Sequence, residues 1–149
     1  MTEAEMKHVY EKIWLGEVWN EGNLTNLSAI FSKDFHDHRP IPQFPNTLEG
    51  HGAMAQDWCR AFPDMIFEVQ DIVAENNRVF ARYIARGTHQ GPLLGIEATG
   101  AKVTLTGIDI FGFRDGKVTD WWHEEDFDSF MKPILAADAK RRHVEDTIA

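Results

Sequence analysis

Apolar residues follow two different periods along the chain, and the change between them divides it into a helical and a strand-rich part. Between Thr2 and Asn20, Met6, Val9, Tyr10, Ile13, Trp14 and Val18 recur at helical spacing. Thr2 and Glu5 stand at the spacing of a capping box, and Gly22 supplies the stop. A second, shorter helix is predicted through Leu24, Leu27, Ile30 and Phe31, and an extended segment from Phe35 to Arg39. Pro40, Pro42 and Pro45 then force a loop, because proline donates no backbone hydrogen bond. A third helix from about Gly50 to Phe62 carries Met54, Trp58 and Phe62 on one face and ends at Pro63-Asp64.

From Met65 onward the period is two. Ile66–Ala74, Arg78–Thr88, Lys102–Phe113 and Lys117–Asp126 read as strands rich in Val, Ile, Phe, Tyr and Trp. Asn76-Asn77 and Asp115-Gly116 are tight-turn sequences, and a Gly-rich loop from Gly91 to Gly100 joins the two middle strands. Helices followed by a meander of strands predict an α+β domain, with three N-terminal helices on a strongly twisted antiparallel sheet. Such a layer closes as a cone whose wide end is filled by side chains or by a ligand. One further helical turn is expected before Pro133, with a loosely ordered tail from about residue 137. The whole of 1–149 reads as one domain.

Composition narrows the function. The formal net charge of −9 and pI near 5.1 oppose binding to nucleic acid, and no basic stripe offsets them. The cluster Lys140-Arg141-Arg142 reads as a solvated tail. No run approaches the roughly 18 apolar residues of a membrane span. The single Cys59 points to a reducing compartment and reads as a small buried residue. The acidic N-terminus is unlike a secretory or transit peptide, so a cytoplasmic location is expected. Phosphate loops, dinucleotide fingerprints and serine elbows do not occur in the chain, which favours a cofactor-free pocket for a hydrophobic small molecule.

The last hairpin holds the candidate chemistry. If its loop leaves an odd number of residues unpaired, Asp109 stands directly opposite His123, and directly opposed Cβ atoms lie about 4.5–5.5 Å apart. Phe111 and Trp121 share that face, and Glu125 stands opposite Gly107. A carboxylate beside an imidazole can serve as a general acid–base pair, or the same residues can face solvent as a hydrated strand end. Alternation sets His36 and His38 on one side of their segment and Phe35 and Asp37 on the other. The two histidines are candidates for hydrogen bonding to substrate; no metal is expected. His51 and His89 are expected in solvated cap or loop positions.

Phe62-Pro63-Asp64, Gly87-Thr88-His89-x-Gly91-x-Leu93-Leu94-Gly95-Ile96, Thr99-Gly100, Gly107-x-x-x-Phe111 and Asp115-Gly116-Lys117-Val118 occur in an order that resembles the SnoaL-like polyketide cyclases of the nuclear-transport-factor-2-like (NTF2-like) superfamily. Asp34-Phe35-His36-Asp37-His38 resembles the segment after the second helix in these proteins. The likeness spans roughly residues 5 to 132. It implies an NTF2-like cone that pairs as a homodimer or homotetramer through the outer sheet face, and cofactor-free ring closure by intramolecular aldol condensation. In that family a histidine assists an acid near the end of the last strand. Counted from the shared turn, the histidine position holds Asp109 and the acid position His123, so the two residue types are exchanged.

The expected function is therefore a polyketide cyclase-type lyase or isomerase. His123 is the expected base, Asp109 its polariser and Asp126 a reserve carboxylate. His38, with His36 beside it, would hydrogen-bond the substrate, and Trp14, Trp58, Phe62, Phe111 and Trp121 would form the apolar walls. The alternatives are a non-catalytic small-molecule binding protein and an epoxide hydrolase using Asp109 with Arg82 or Arg86.

Overall fold

The computed structural model describes residues 1–148. The first helix, α1, is α-helical over Glu3–His8 and continues over Val9–Asn20 with wider, π-type turns. Its capping box forms as the sequence predicts, with Thr2 Oγ1 accepting from Glu5 N and Glu5 Oε2 from Thr2 N. Gly22 follows the helix at a φ of +69°, where a side chain would be strained. The wider winding changes which residues face inward. Val9 and Tyr10, Trp14 and Leu15, and Val18 and Trp19 are buried as successive pairs, whereas Ile13 is only half-buried.

Helix α2 (Leu27–Ile30) leads directly into strand β1 (Phe31–Asp37). Helix α3 (Leu48–Ala61) starts at Thr47, whose hydroxyl accepts from Gly50 N. Strands β2 (Ile66–Glu75), β3 (Arg78–Thr88), β4 (Lys102–Arg114) and β5 (Lys117–Glu125) form the antiparallel meander. The sheet order is β1-β5-β4-β3-β2, and β1 joins parallel to β5. The sheet is thus mixed at one edge, because β1 reaches it through α3 and not through a hairpin.

The hairpin register arises differently from the expected odd loop. Asp115 and Gly116, at φ of 51° and 77°, make a two-residue turn that pairs Arg114 with Lys117. A bulge between Gly112 and Phe113 on one side and Asp120 and Val118 on the other leaves Thr119 over and shifts the pairing by one residue. Asp109 consequently stands opposite His123.

The C-terminal segment departs from expectation. Helix α4 runs from Phe127 to Ile148 with Pro133 inside it, so the tail beyond 137 is helical. Phe130, Met131 and Ile134 give it a buried face, and Phe130 stacks on Trp58 at 5.3 Å. Proline in the second turn of the helix removes one helical hydrogen bond, and this apolar face offsets the cost. The buried Asp138 pairs with Arg141 and Arg142, and Arg141 also donates to the carbonyl of Ala98. Two of the three basic residues assigned to a solvated tail are therefore held by Asp138 within α4, and one of them, Arg141, fastens the helix to the Gly-rich loop. Cys59 is half-buried, and burial pushes its thiol up.

Inside the cone the space is taken by rings. Trp14 packs on Phe111 at 4.7 Å and Trp121 at 5.2 Å, and Phe31 lies 5.7 Å from Phe111. Phe62 is buried beside Trp58 at 4.7 Å. No helix among the described residues is long and apolar enough to cross a membrane.

Candidate active site

Two adjacent hydrogen-bonded centres occupy the inner face of the sheet, and each joins elements far apart in sequence. The first is built on Asp109, 1% exposed. Tyr10 Oη donates to its Oδ2 at 2.6 Å, and Trp121 Nε1 donates to its Oδ1 at 2.9 Å. His123 donates no hydrogen bond to Asp109, although the two residues are directly paired, so Asp109 is not the polariser that was expected. The reason is directional: the indole of Trp121 and the phenol of Tyr10 on α1 take both carboxyl oxygens. Burial pushes the Asp109 carboxyl up to about 6, against the two donors that favour its ionised form. Burial, and then the charge of Asp109, push the Tyr10 hydroxyl well above its ordinary value.

The second centre is built on His123, 9% exposed. Its Nε2 lies 2.7 Å from Oδ1 of Asp37, which is 6% exposed at the end of β1, and its Nδ1 faces Oε1 of Glu125. Trp121 stacks on the imidazole at 3.7 Å. Burial alone would lower the His123 pKa, but hydrogen bonds and charge from Asp37 and Glu125 outweigh it and push it up to about 9. At neutral pH both ring nitrogens therefore carry protons, donated to the two carboxylates. Asp37 is held in turn by the β1–α3 loop. Its N–H donates to Asn46 Oδ1 and its Oδ1 accepts from Arg39 N, each at 2.9 Å. The Glu125 side chain is 20% exposed, against 5% for His123 and 8% for Asp37, so it is the open end of the trio.

Gly107 lies between Tyr83 on β3 and Glu125 on β5. A Cβ at Gly107 would overlap the Tyr83 phenol, so the glycine leaves the ring lying across β4. Burial, with the charges of Asp109 and Glu125, raises the Tyr83 hydroxyl pKa.

His51 on α3 is 4% exposed, which corrects the expectation that it is solvated. Its Nε2 accepts from Trp14 Nε1 at 2.9 Å, and burial pushes its pKa down to about 4, so the ring is neutral. A cavity of about 10 Å³ lies where His51, Asp37, Phe35, Phe44 and Met54 meet. His89 is likewise buried, with Nδ1 2.8 Å from Thr99 Oγ1, and does not face solvent.

Several expected positions fall elsewhere. Phe35 and Asp37 turn inward, so alternation sends His36 and His38 to the outer face, away from the trio. There His38 stacks on Trp122 at 4.5 Å and meets Asp120 at 2.8 Å, while His36 Nδ1 faces Asn46. Asp126, the reserve carboxylate, is exposed, and its side chain accepts from Ser129 N at the start of α4. Arg82 pairs with Asp71 on the outer face, with Arg86 four residues along on the same side, so neither partners Asp109. Of the proposed wall residues, Trp14, Phe62, Phe111 and Trp121 are buried core side chains and Trp58 is half-buried. No group of three or more His, Cys, Asp or Glu among the described residues is arranged to hold a metal.

Asp37, Glu125, Tyr10 and His51 are the residues that sequence reasoning did not assign. For Asp37 a signal existed in its sharing a face with the apolar Phe35, and for Glu125 in its place two residues beyond His123. Nothing local marks Tyr10 or His51.

The architecture is that of the NTF2-like cone, with four helices packed on a curled, unclosed five-stranded sheet. The SnoaL-like polyketide cyclase family model matches residues 10–134, and the chain belongs to that family. TsrD from Streptomyces laurentii is similar at 27% identity and a TM-score of 0.79, over 89% of this chain and 96% of that one. IdmH from Streptomyces antibioticus, a candidate polyketide cyclase, is 27% identical with a TM-score of 0.70, over 88% and 96% of the two chains. AclR from Streptomyces galilaeus, a candidate hydroxylase, is 27% identical with a TM-score of 0.72, over 93% and 87%. No curated protein matches the sequence.

Proposed function

We propose that the protein is a cofactor-independent acid–base enzyme of the polyketide cyclase type, closing a ring in a hydrophobic carbonyl compound by intramolecular aldol addition. The observation that carries this reading is His123 clamped between Asp37 and Glu125 on the inner wall. An imidazolium held at both nitrogens is a poor base, so the proton-accepting role passes from His123 to Glu125, the most open of the three. Glu125 removes the proton beside a carbonyl, and the electron pair of that C–H bond becomes the enolate. The enolate carbon bonds to a second carbonyl carbon of the same molecule, whose oxygen takes the proton back from Glu125. The product is an isomer of the substrate, and nothing is consumed. His123 supplies fixed positive charge beside the developing anion, and Asp37 holds it there.

The test is a thermal-shift screen of aromatic polyketide carbonyl compounds, followed by mass analysis with wild type, His123→Ala and Glu125→Gln. Wild type is expected to convert a stabilising compound to a product of equal mass, and both variants to lose that conversion. A compound that stabilises all three proteins equally and is recovered unchanged would sink the enzyme reading and leave a binding protein.

The exposed Val73, Phe80 and Ile108 on the outer sheet face support pairing of two copies through that face. Sedimentation equilibrium of wild type beside Phe80→Glu tests this; a monomeric wild type would remove it.

A further inference from the structure

The acid–base trio is closed over in this structure. The Asp37 and His123 side chains are 8% and 5% exposed. The space beside Asp37 measures about 10 Å³. A site that holds a small organic ligand encloses roughly 300–1,000 Å³. One wall of this space is Phe35, Asp37, His51 and Met54; the other is Ile41, Phe44 and Pro45 from the loop between β1 and α3. That loop is weakly tied to the body. Pro40, Pro42 and Pro45 donate no backbone hydrogen bond. Among the described residues, the backbone bonds of 39–46 run only within the loop or to Thr47: Phe44 N to Ile41 O, and Thr47 N to Pro45 O. The Gly-rich loop differs, since Gln90 N and Gly91 N both donate to Ala61 O at the end of α3. Apart from a contact between Asn46 and His36, the polar ties of the 39–46 loop end on the trio or beside it. Arg39 N donates to Asp37 Oδ1 at 2.9 Å, Asn46 Nδ2 donates to Asp37 O at 2.8 Å, and Asn46 Oδ1 accepts from Asp37 N at 2.9 Å. The Arg39 guanidinium pairs with Glu124 and lies 3.7 Å from Oε2 of Glu125.

We infer that residues 39–46 form a lid over the Asp37–His123–Glu125 trio, with Arg39 as its latch, and that a ligand enters when the lid lifts. This concerns the regulation of the site proposed above, and rests on that reading only in taking the trio to be where the ligand reacts. The three prolines stiffen the segment, so it moves as a unit between two fixed ends. One end is His38, whose N–H makes the last sheet bond to Trp121 O; the other is Thr47, the cap of α3. Gly50 lets the closed loop lie flat on α3, because a Cβ there would stand 1.9 Å from the Pro45 carbonyl oxygen. Lifting the lid takes the Arg39 N–H from Asp37 and the guanidinium from Glu125. Closing it returns both carboxylates to the places where they clamp His123, so one movement assembles the trio and excludes water from it. The latch is light. Arg39 and Glu124 are 52% and 80% exposed, and an ion pair in water holds weakly and is screened by salt. Arg39 is thus a positioning residue.

The experiment is amide hydrogen exchange, followed by NMR on the ¹⁵N-labelled protein without ligand. The Asp37 N–H, covered by Asn46, and the Arg39 N–H, covered by Asp37, report the lid. The Ala81 and Tyr83 N–H groups in the central strand β3 report global unfolding. In wild type the lid amides are expected to be protected, yet to exchange at least about a hundredfold faster than those of β3. Arg39→Gln should speed the Asp37 amide by about two- to fivefold and leave the β3 amides unchanged, and Arg39→Lys, which keeps the charge, should do less. Sodium chloride at about 1 M should bring the wild-type Asp37 amide close to its rate in Arg39→Gln. Asn46→Ala, which removes two ties, should speed the Arg39 amide by at least about tenfold. Lid amides that exchange only at the β3 rate, lid amides without protection, or an Asp37 amide indifferent to Arg39→Gln and to salt overturn the lid. The first comparison needs only wild type, so a variant that fails to fold does not obscure the result. The acid–base reading fails by a different outcome, a Glu125→Gln protein that converts substrate as fast as wild type while the lid opens as described.

Discussion

Asp109 and His123 face each other across neighbouring strands, yet they belong to different hydrogen-bonded centres. Asp109 meets only neutral donors, from Tyr10 on α1 and Trp121 on its own hairpin. His123 meets two carboxylates, Asp37 on β1 and Glu125 two residues along its own strand. Neutral donors do not offset the cost of burying a carboxylate, so Asp109 is held up near 6; two carboxylates more than offset the burial of His123, which is held up near 9. Strand register decides which residues are opposite, but partners brought by other elements decide which protonation state is stabilised. The unit with opposed charges and an open end is suited to moving protons. The unit of neutral donors around a buried acid is suited to holding α1 on the sheet.

That division can be broken by turnover first. Glu125→Gln should lower kcat by about 10²–10⁴-fold, the range of a lost general base, while Asp109→Asn keeps it within about tenfold. Equal losses, measured as product formation by both variants, would merge the two centres into one. Stability gives the next largest effect. Asp37→Ala removes one carboxylate from a buried ionic group and should cost about 3–5 kcal/mol in urea unfolding. Asp109→Asn, which keeps a Trp121 acceptor, should cost less.

The pH dependence sharpens the contrast. His123 is raised from 6.5 to about 9, so its contribution is complete below pH 6.5 and is lost as pH rises through about 9. The loss amounts to about 3 kcal/mol, and His123→Gln should flatten this part of the profile. Asp109 is also raised, from 3.8 to about 6, so it too weakens the fold as pH rises, but in the lower window from about 4 to 6. Asp109→Asn should remove only that step, as seen in unfolding midpoints across pH. Smallest is Gly107→Ala, which pushes the new methyl into the Tyr83 ring beside Glu125 and should cost about 1–3 kcal/mol of stability. A neutral effect there would show that Tyr83 is free to move.

Much of this fold was legible because side-chain direction repeats locally. The strand boundaries from Ile66 to Glu125 and the pairing of Asp109 with His123 follow from alternation and from the Asp115-Gly116 turn. The route to that pairing was not legible, since a bulge at Thr119 replaced the odd loop. The inward residues of α1 were misjudged at Ile13, Leu15 and Trp19, because the pattern assumed α-helical winding. Pro133 reads locally as a stop, while the apolar face of α4 across Phe130, Met131 and Ile134 carries the helix through it.

The site divides in the same way. Alternation already placed Asp37 on the face opposite His36 and His38, and Glu125 on the face of His123, because the period of a strand is two. What alternation cannot supply is the neighbour from elsewhere in the chain. Asp37 reaches His123 only because β1 docks parallel on β5, and Tyr10 reaches Asp109 only because α1 lies across the inner face. His51 becomes a buried neutral ring only where α1, β1 and α3 converge. The sequence by itself thus determined the family, the strands and the face each polar residue takes. Only the tertiary structure decided which residues meet, because a hydrogen bond depends on distances of a few tenths of an ångström between segments whose separation in space no local period encodes.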